Sequence, residues 1–116
     1  MMEFNNNKPI YKQIVEYAFN SIIEGMWQTG SRIPSVRELA ADLGVNTRTV
    51  LKAMEDLQSL EVIEPKRGMG FILKADAAAT VREERRREFF EVTLPALQAE
   101  IKRLGISKQE LIDRLT

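Results

Sequence analysis

Cysteine and histidine are both absent from this chain of 116 residues. The first absence excludes disulfides and thiolate metal sites. The second removes the side chain that most often serves as general base or metal ligand near neutral pH. No pair of carboxylates stands out in an apolar context, so an enzyme is not expected, and no cofactor signature is present. No apolar run approaches the roughly 20 residues that a membrane span needs. The opening MMEFNNNKP has neither the basic start nor the apolar stretch of a secretory leader. These absences fit a cytoplasmic protein with no membrane partner. A surplus of charge of one sign is lacking as well. Lys plus Arg number 17 and Asp plus Glu number 17, with 9 of each in residues 1–75 and 8 of each in 76–116. A nucleic-acid reading usually starts from a basic balance. Here the fold itself would have to gather cations onto one face.

What is present is enough apolar material, 44% of residues, for one packed domain with a short appendage. Pro9 suits a first helical position, where its missing N–H costs nothing. Behind it, Ile10, Ile14, Ala18 and Ile22 form one helical row and Tyr11, Val15, Phe19 and Ile23 a second. A stripe this wide predicts burial on two sides for a helix over about 8–24. Residues 25–34, GMWQTGSRIP, are turn material, with a very short strand at Arg32-Ile33. Ser35-Val36-Arg37-Glu38 is a capping box, in which each side chain satisfies an orphan amide of the first turn. It opens a short helix over about 36–42. Gly44 then permits a sharp turn, and Asn46 caps a helix over about 47–60, with Val50, Ala53, Met54, Leu57 and Leu60 on its buried side. Two β-prone pieces, 62–64 and 71–73, flank the basic, glycine-rich Pro65-Lys66-Arg67-Gly68-Met69-Gly70 and read as a hairpin.

Asp76 caps the next helix, whose stretch 81–91 is heavily charged. Arg85, Arg86 and Arg87 lie among Glu83, Glu84, Glu88 and Glu91 at ion-pair spacings, which reads as a solvated face. Phe90, Leu94, Leu97, Ile101 and Leu104 follow at alternating four- and three-residue steps, a heptad-like seam. Pro95 should kink or split that helix. Gly105 ends it, and Ser107-Lys108-Gln109-Glu110 opens a short last helix with a second capping box.

Two helices joined by a tight turn and followed by a basic hairpin make the plan of a winged helix-turn-helix. The expected fold is therefore mainly α with a small β-hairpin, in two parts: a DNA-binding domain over 8–75 and a helical dimerisation region over 76–116. Residue types support the plan. Counting from Val36, Ala40 is fifth and small enough for the helices to cross closely, Gly44 is ninth and can turn, and Val50 is fifteenth and packs back into the crossing. The second helix of such a unit enters the major groove N-terminal end first. Arg48 there is a candidate for guanine O6 and N7, or for a phosphate. Asn46, Thr47, Thr49 and Lys52 are candidates for phosphates, as are Arg32, Ser35 and Arg37 on and before the preceding helix. Leu51 either touches a thymine methyl or packs on a neighbouring element. Lys66, Arg67 and Gly68 at the wing tip suit a minor groove. Trp27 reads as a packing residue.

At these residues the chain resembles the GntR family DNA-binding domain. The matching pieces are Pro9-Ile10-Tyr11-Lys12-Gln13-Ile14, the run Gly30 to Ala40, Gly44-Val45-Asn46 with Thr49-Val50, Ile63-Glu64, and Arg67-Gly68-Met69-Gly70. The short C-terminal piece, ending in Leu104-Gly105-Ile106-Ser107-Lys108-Gln109-Glu110-Leu111, resembles the YtrA-like branch, whose short helices mainly dimerise. The resemblance implies a dimeric repressor of transcription on an inverted repeat of double-stranded DNA, with Arg37, Arg67 and Gly68 as DNA contacts. The chain departs from many members at Thr47 and Leu51, where they carry Arg.

Dimerisation also follows from the residues. The seam Phe90, Leu94, Leu97, Ile101 and Leu104 has no large domain of its own to bury it, and a partner copy is the simplest cover. The outer row of the first helix is expected to join it. A small-molecule effector is neither indicated nor excluded. The alternative function is a winged-helix module that docks protein and not DNA. A small carboxylate-dependent enzyme is a distant third.

Overall fold

The computed structural model describes residues 3–116. The buried core lies in the first part of the chain, ending at Val81. Helix α1 spans Ile10–Ile23, α2 Val36–Leu43 and α3 Thr47–Ser59. Strands β1, Ile63–Lys66, and β2, Gly70–Leu73, pair antiparallel with Ile63 opposite Leu73 and Lys66 opposite Gly70. Helix α4 spans Ala77–Glu88. A π-helical segment, Phe89–Thr93, follows, then α5, Leu94–Leu104, and α6, Lys108–Leu115. The chain is thus mainly helical with one hairpin.

The chain forms two compact units, one through Arg82 and one from Glu83 to Thr116. In the first, Ile14, Ala18 and Ile22 of α1 are buried with Val50, Ala53, Met54 and Leu57 of α3, and Leu39, Ala40 and Leu43 of α2 complete the packing. Ala77 and Val81 of α4 are also fully buried in this core, so the unit extends past residue 75. Trp27 packs there as expected. The helix-turn-helix positions behave as their types require: Ala40 is buried, Gly44 is left-handed at φ 72°, and Val50 has no exposure at all. Val15 and Phe19, from the second row of α1, belong to the same core. The middle of both rows of α1 is thus covered within its own unit, which corrects the expectation that a whole outer row is free for a partner; Ile10 and Ile23, at the two ends, stay exposed.

The hairpin is longer than the apolar pattern alone predicts. Pairing continues through Pro65 and Lys66 because the loop closes tightly. Met69 N–H donates to Lys66 O at 2.9 Å, and Gly68, at φ 79°, supplies the left-handed third position that a type II turn demands. Arg32 bridges Ile72 and Ile33 N–H donates to Phe71 O, so the short Arg32-Ile33 piece joins the sheet edge.

The second unit has a different character. No residue of the π-helical segment, α5 or α6 is buried. The π-helical segment explains how the chain passes Pro95. A proline removes one N–H and its ring crowds the carbonyl four residues back, here Glu91. The α-helix is split by a wider turn: Leu94 N–H donates to Phe89 O, five residues back, and α-helix resumes at Leu94.

Candidate nucleic-acid interface

Two caps aim the helices. The Ser35 hydroxyl accepts from Glu38 N–H and the Glu38 carboxylate accepts from Ser35 N–H, both at 3.1 Å. Asn46 Oδ1 accepts from Thr49 N–H at 2.9 Å and from the Thr49 hydroxyl at 3.0 Å. These bonds fix where α2 and α3 begin, and so where Arg37 and Arg48 stand, each at the second helical position.

Arg37, Arg48, Lys66 and Arg67 are all exposed. Among the described residues none of the four is in a salt bridge, while acids elsewhere are taken: Glu16 by Lys8, Glu38 by Arg32, Glu61 by Lys74, Glu84 and Glu91 by Arg87, and Glu100 by Arg103. A cation without an ion-pair partner can meet a phosphate without first breaking a bond. In this sense an electrically neutral chain leaves unneutralised cations on α2, α3 and the wing. Among the arginines of α4, Arg87 is ion-paired with Glu84 and Glu91, as their spacing predicts, and Arg86 lies over the Phe90 ring.

Other site candidates are engaged locally. Arg32 donates to Glu38 at 2.8 Å, which compensates its charge. The Ser35 backbone N–H, the Ser35 hydroxyl and the Arg32 guanidinium together hold the Glu38 carboxyl below its ordinary range. The Thr49 hydroxyl is committed to Asn46. The Lys52 ammonium lies over the Tyr11 ring, 4.2 Å from its centroid. Thr47 is exposed. Leu51 is 45% exposed, so of its two readings the structure takes the open one. Lys66 lies in β1, and the hairpin tip itself is Arg67-Gly68-Met69. Arg32, Ser35, Val36, Gly68 and Met69 line one groove of about 430 Å³, which brings the start of α2 and the wing tip together.

Sequence reasoning missed one organising residue. Gln13, buried in α1, donates to Asn5 O at 2.9 Å and Lys8 O at 2.8 Å and accepts from Asn5 N–H. It pins the segment leading into α1. The signal was a glutamine placed between apolar helix positions. Among the described residues no cluster of metal-binding side chains occurs, and no helix is long and apolar enough to cross a membrane.

A helix-turn-helix with caps that aim two arginines, a glycine-turned basic wing and a groove between them defines a winged-helix transcription regulator. The model of the gntR family of bacterial regulatory proteins matches residues 10–73. The chain is 36% identical over 78 residues to the HTH-type transcriptional repressor YtrA of Bacillus subtilis, covering 67% of this chain and 60% of that protein. A solved GntR family transcriptional regulator from Listeria monocytogenes superposes with TM-score 0.80 at 34% identity, covering 97% of this chain and 96% of the other. The DNA-binding domain of AraR, solved in complex with operator ORX1, superposes with TM-score 0.56 at 28% identity over 61% of this chain and 92% of the other. The chain belongs to the GntR family and is a YtrA-like transcription regulator; its relatives are regulators of transcription and not enzymes.

Proposed function

We propose that the protein is a homodimeric repressor that recognises an inverted repeat in double-stranded DNA. Helix α3 enters the major groove with Arg48 leading, Arg37 holds a phosphate, and Arg67 and Gly68 reach the neighbouring minor groove. The observation that carries the reading is the set of exposed cations on α2, α3 and the wing, none of them salt-bridged among the described residues. Asn46, Thr47, Lys52 and Lys66 add backbone contacts, which set register and carry no sequence information directly. Ser35, Arg32 and Thr49 act mainly by shaping the helix starts.

Two copies are favoured because one winged unit makes few phosphate contacts, whereas linked units read two half-sites and gain effective concentration. Phe90, Leu94, Leu97, Ile101 and Leu104 are the proposed seam between copies. None is buried within its own chain, and Leu104 is 64% exposed.

The test is selection of bound duplexes from a randomised pool with the wild-type protein, followed by affinity measurements across salt concentrations and a light-scattering mass. Recovered sequences should share a twofold repeat, and the logarithm of affinity should fall linearly with the logarithm of salt by about 0.9 per neutralised phosphate. The mass should be twice 13.3 kDa, and a promoter carrying the repeat should be less active when the protein is present. No salt-dependent binding to any duplex would leave the protein-docking module as the better reading.

A further inference from the structure

Lys52 lies one turn beyond Arg48 on α3, and its ammonium sits 4.2 Å from the centroid of the Tyr11 ring. Tyr11 is in the first turn of α1, and its partly buried ring packs against the core. The ring is therefore a fixed platform, whereas a lysine on its four-carbon stem has many rotamers and loses that freedom whenever it docks. Among the described residues Lys52 is in no salt bridge.

We propose that Tyr11 is a positioning residue for DNA binding, whose π face holds the Lys52 ammonium beside α3 where it meets a backbone phosphate. The inference rests on the DNA reading above. The chemistry of the pair suits the task. An aromatic face attracts an ammonium through its quadrupole but neither neutralises its charge nor accepts a strong hydrogen bond from it. The N–H donors stay available for a phosphate oxygen. A carboxylate in the same place would order the lysine equally well and cancel the charge that binding needs. The rigid ring also joins α1 to the interface, which couples the seat of the first helix to the cation on the third.

The test uses the duplex recovered by selection, with affinity measured across salt for the wild type, Lys52→Ala, Tyr11→Phe, Tyr11→Leu and the Tyr11→Leu/Lys52→Ala double variant, and a thermal melt of each. Lys52→Ala should lower the salt slope by about 0.9 for each phosphate that the ammonium no longer neutralises. Tyr11→Phe, which keeps the ring face, should bind within about twofold of wild type, and Tyr11→Leu should bind about 2- to 10-fold more weakly, the cost of ordering one rotamer-rich side chain only on docking. Once Lys52 is alanine, Tyr11→Leu should cost nothing further. An equal loss from Tyr11→Leu in both backgrounds, or a Tyr11→Phe variant as weak as Tyr11→Leu, would overturn the positioning role. An unchanged salt slope in Lys52→Ala would overturn it too, with wild-type DNA binding intact. A wild-type protein that shows no salt-dependent binding would instead sink the DNA reading on which the proposal stands.

Discussion

Arg48 is the side chain on which base preference should turn. It is exposed at the second position of α3, where a guanidinium can fork onto guanine O6 and N7. Arg48→Ala is expected to weaken operator binding by about 1–3 kcal/mol per half-site while leaving the melt unchanged. A loss concentrated at one base pair, when the operator is scanned, makes it a base contact; a uniform loss makes it a phosphate contact. A different residue bears on stability. Glu61 lies just past α3 in the left-handed region at φ 61°. There Val62 N–H donates to Leu57 O and Glu61 N–H to Gln58 O, both at 3.0 Å, the paired bonds of a Schellman ending. That conformation costs a side-chain-bearing residue about 1–2 kcal/mol. The Glu61 ion pair with Lys74, at 3.9 Å with the acid 80% exposed, offsets little of it. Glu61→Gly should therefore stabilise the domain by about 0.5–1 kcal/mol, read as a higher urea midpoint. A lower midpoint would mean that the Lys74 ion pair outweighs the backbone effect. Nothing in the composition marks Glu61; its backbone angle follows from how α3 must stop for β1 to begin.

The helix starts were legible because a capping box is a local device. Ser35, Glu38 and Asn46 act within three residues of themselves, and their bonds form where the spacing predicts. The capped helix also carries a pH signature. Hydrogen bonds from the Ser35 backbone and hydroxyl, with the Arg32 charge, depress the Glu38 pKa in the folded protein. A depressed carboxyl contributes stability that is full above the unfolded pKa and is lost as pH falls through the folded value. Wild type should thus be more stable than Glu38→Gln near neutrality, and the gap should close in acid; a gap that does not change with pH would show that the charge of Glu38 contributes nothing. The hairpin and the Pro95 region were legible only in outline. Turn chemistry carried β1 and β2 to Lys66 and Gly70, beyond the apolar pattern, and the split expected at the proline takes the form of a π-helical segment between α4 and α5.

At the scale of the whole molecule, the chain combines a buried N-terminal core with a C-terminal helical unit in which no residue of the π-helical segment, α5 or α6 is buried. Ordering such helices costs conformational entropy that their own unit does not recover by burial, which is why a second copy is the proposed cover. Replacing Leu97 and Ile101 with Asp should convert dimers to monomers by light scattering while the winged domain still melts cooperatively. A dimer that persists would place the interface elsewhere. By itself the sequence determined the order of elements, the helix-turn-helix spacing at Ala40, Gly44 and Val50, and the family, because these depend on residue types a few positions apart. Only the tertiary structure decided that Val15 and Phe19 are buried in the same core as Ile14 and Ala18, that Ala77 and Val81 belong to the first core, that Arg32 is held by Glu38, and that Lys52 rests on Tyr11. Each of those depends on which distant segments come within a few ångströms of one another. In a neutral chain the same holds for charge: composition counts the ions, but folding chooses which of them find partners.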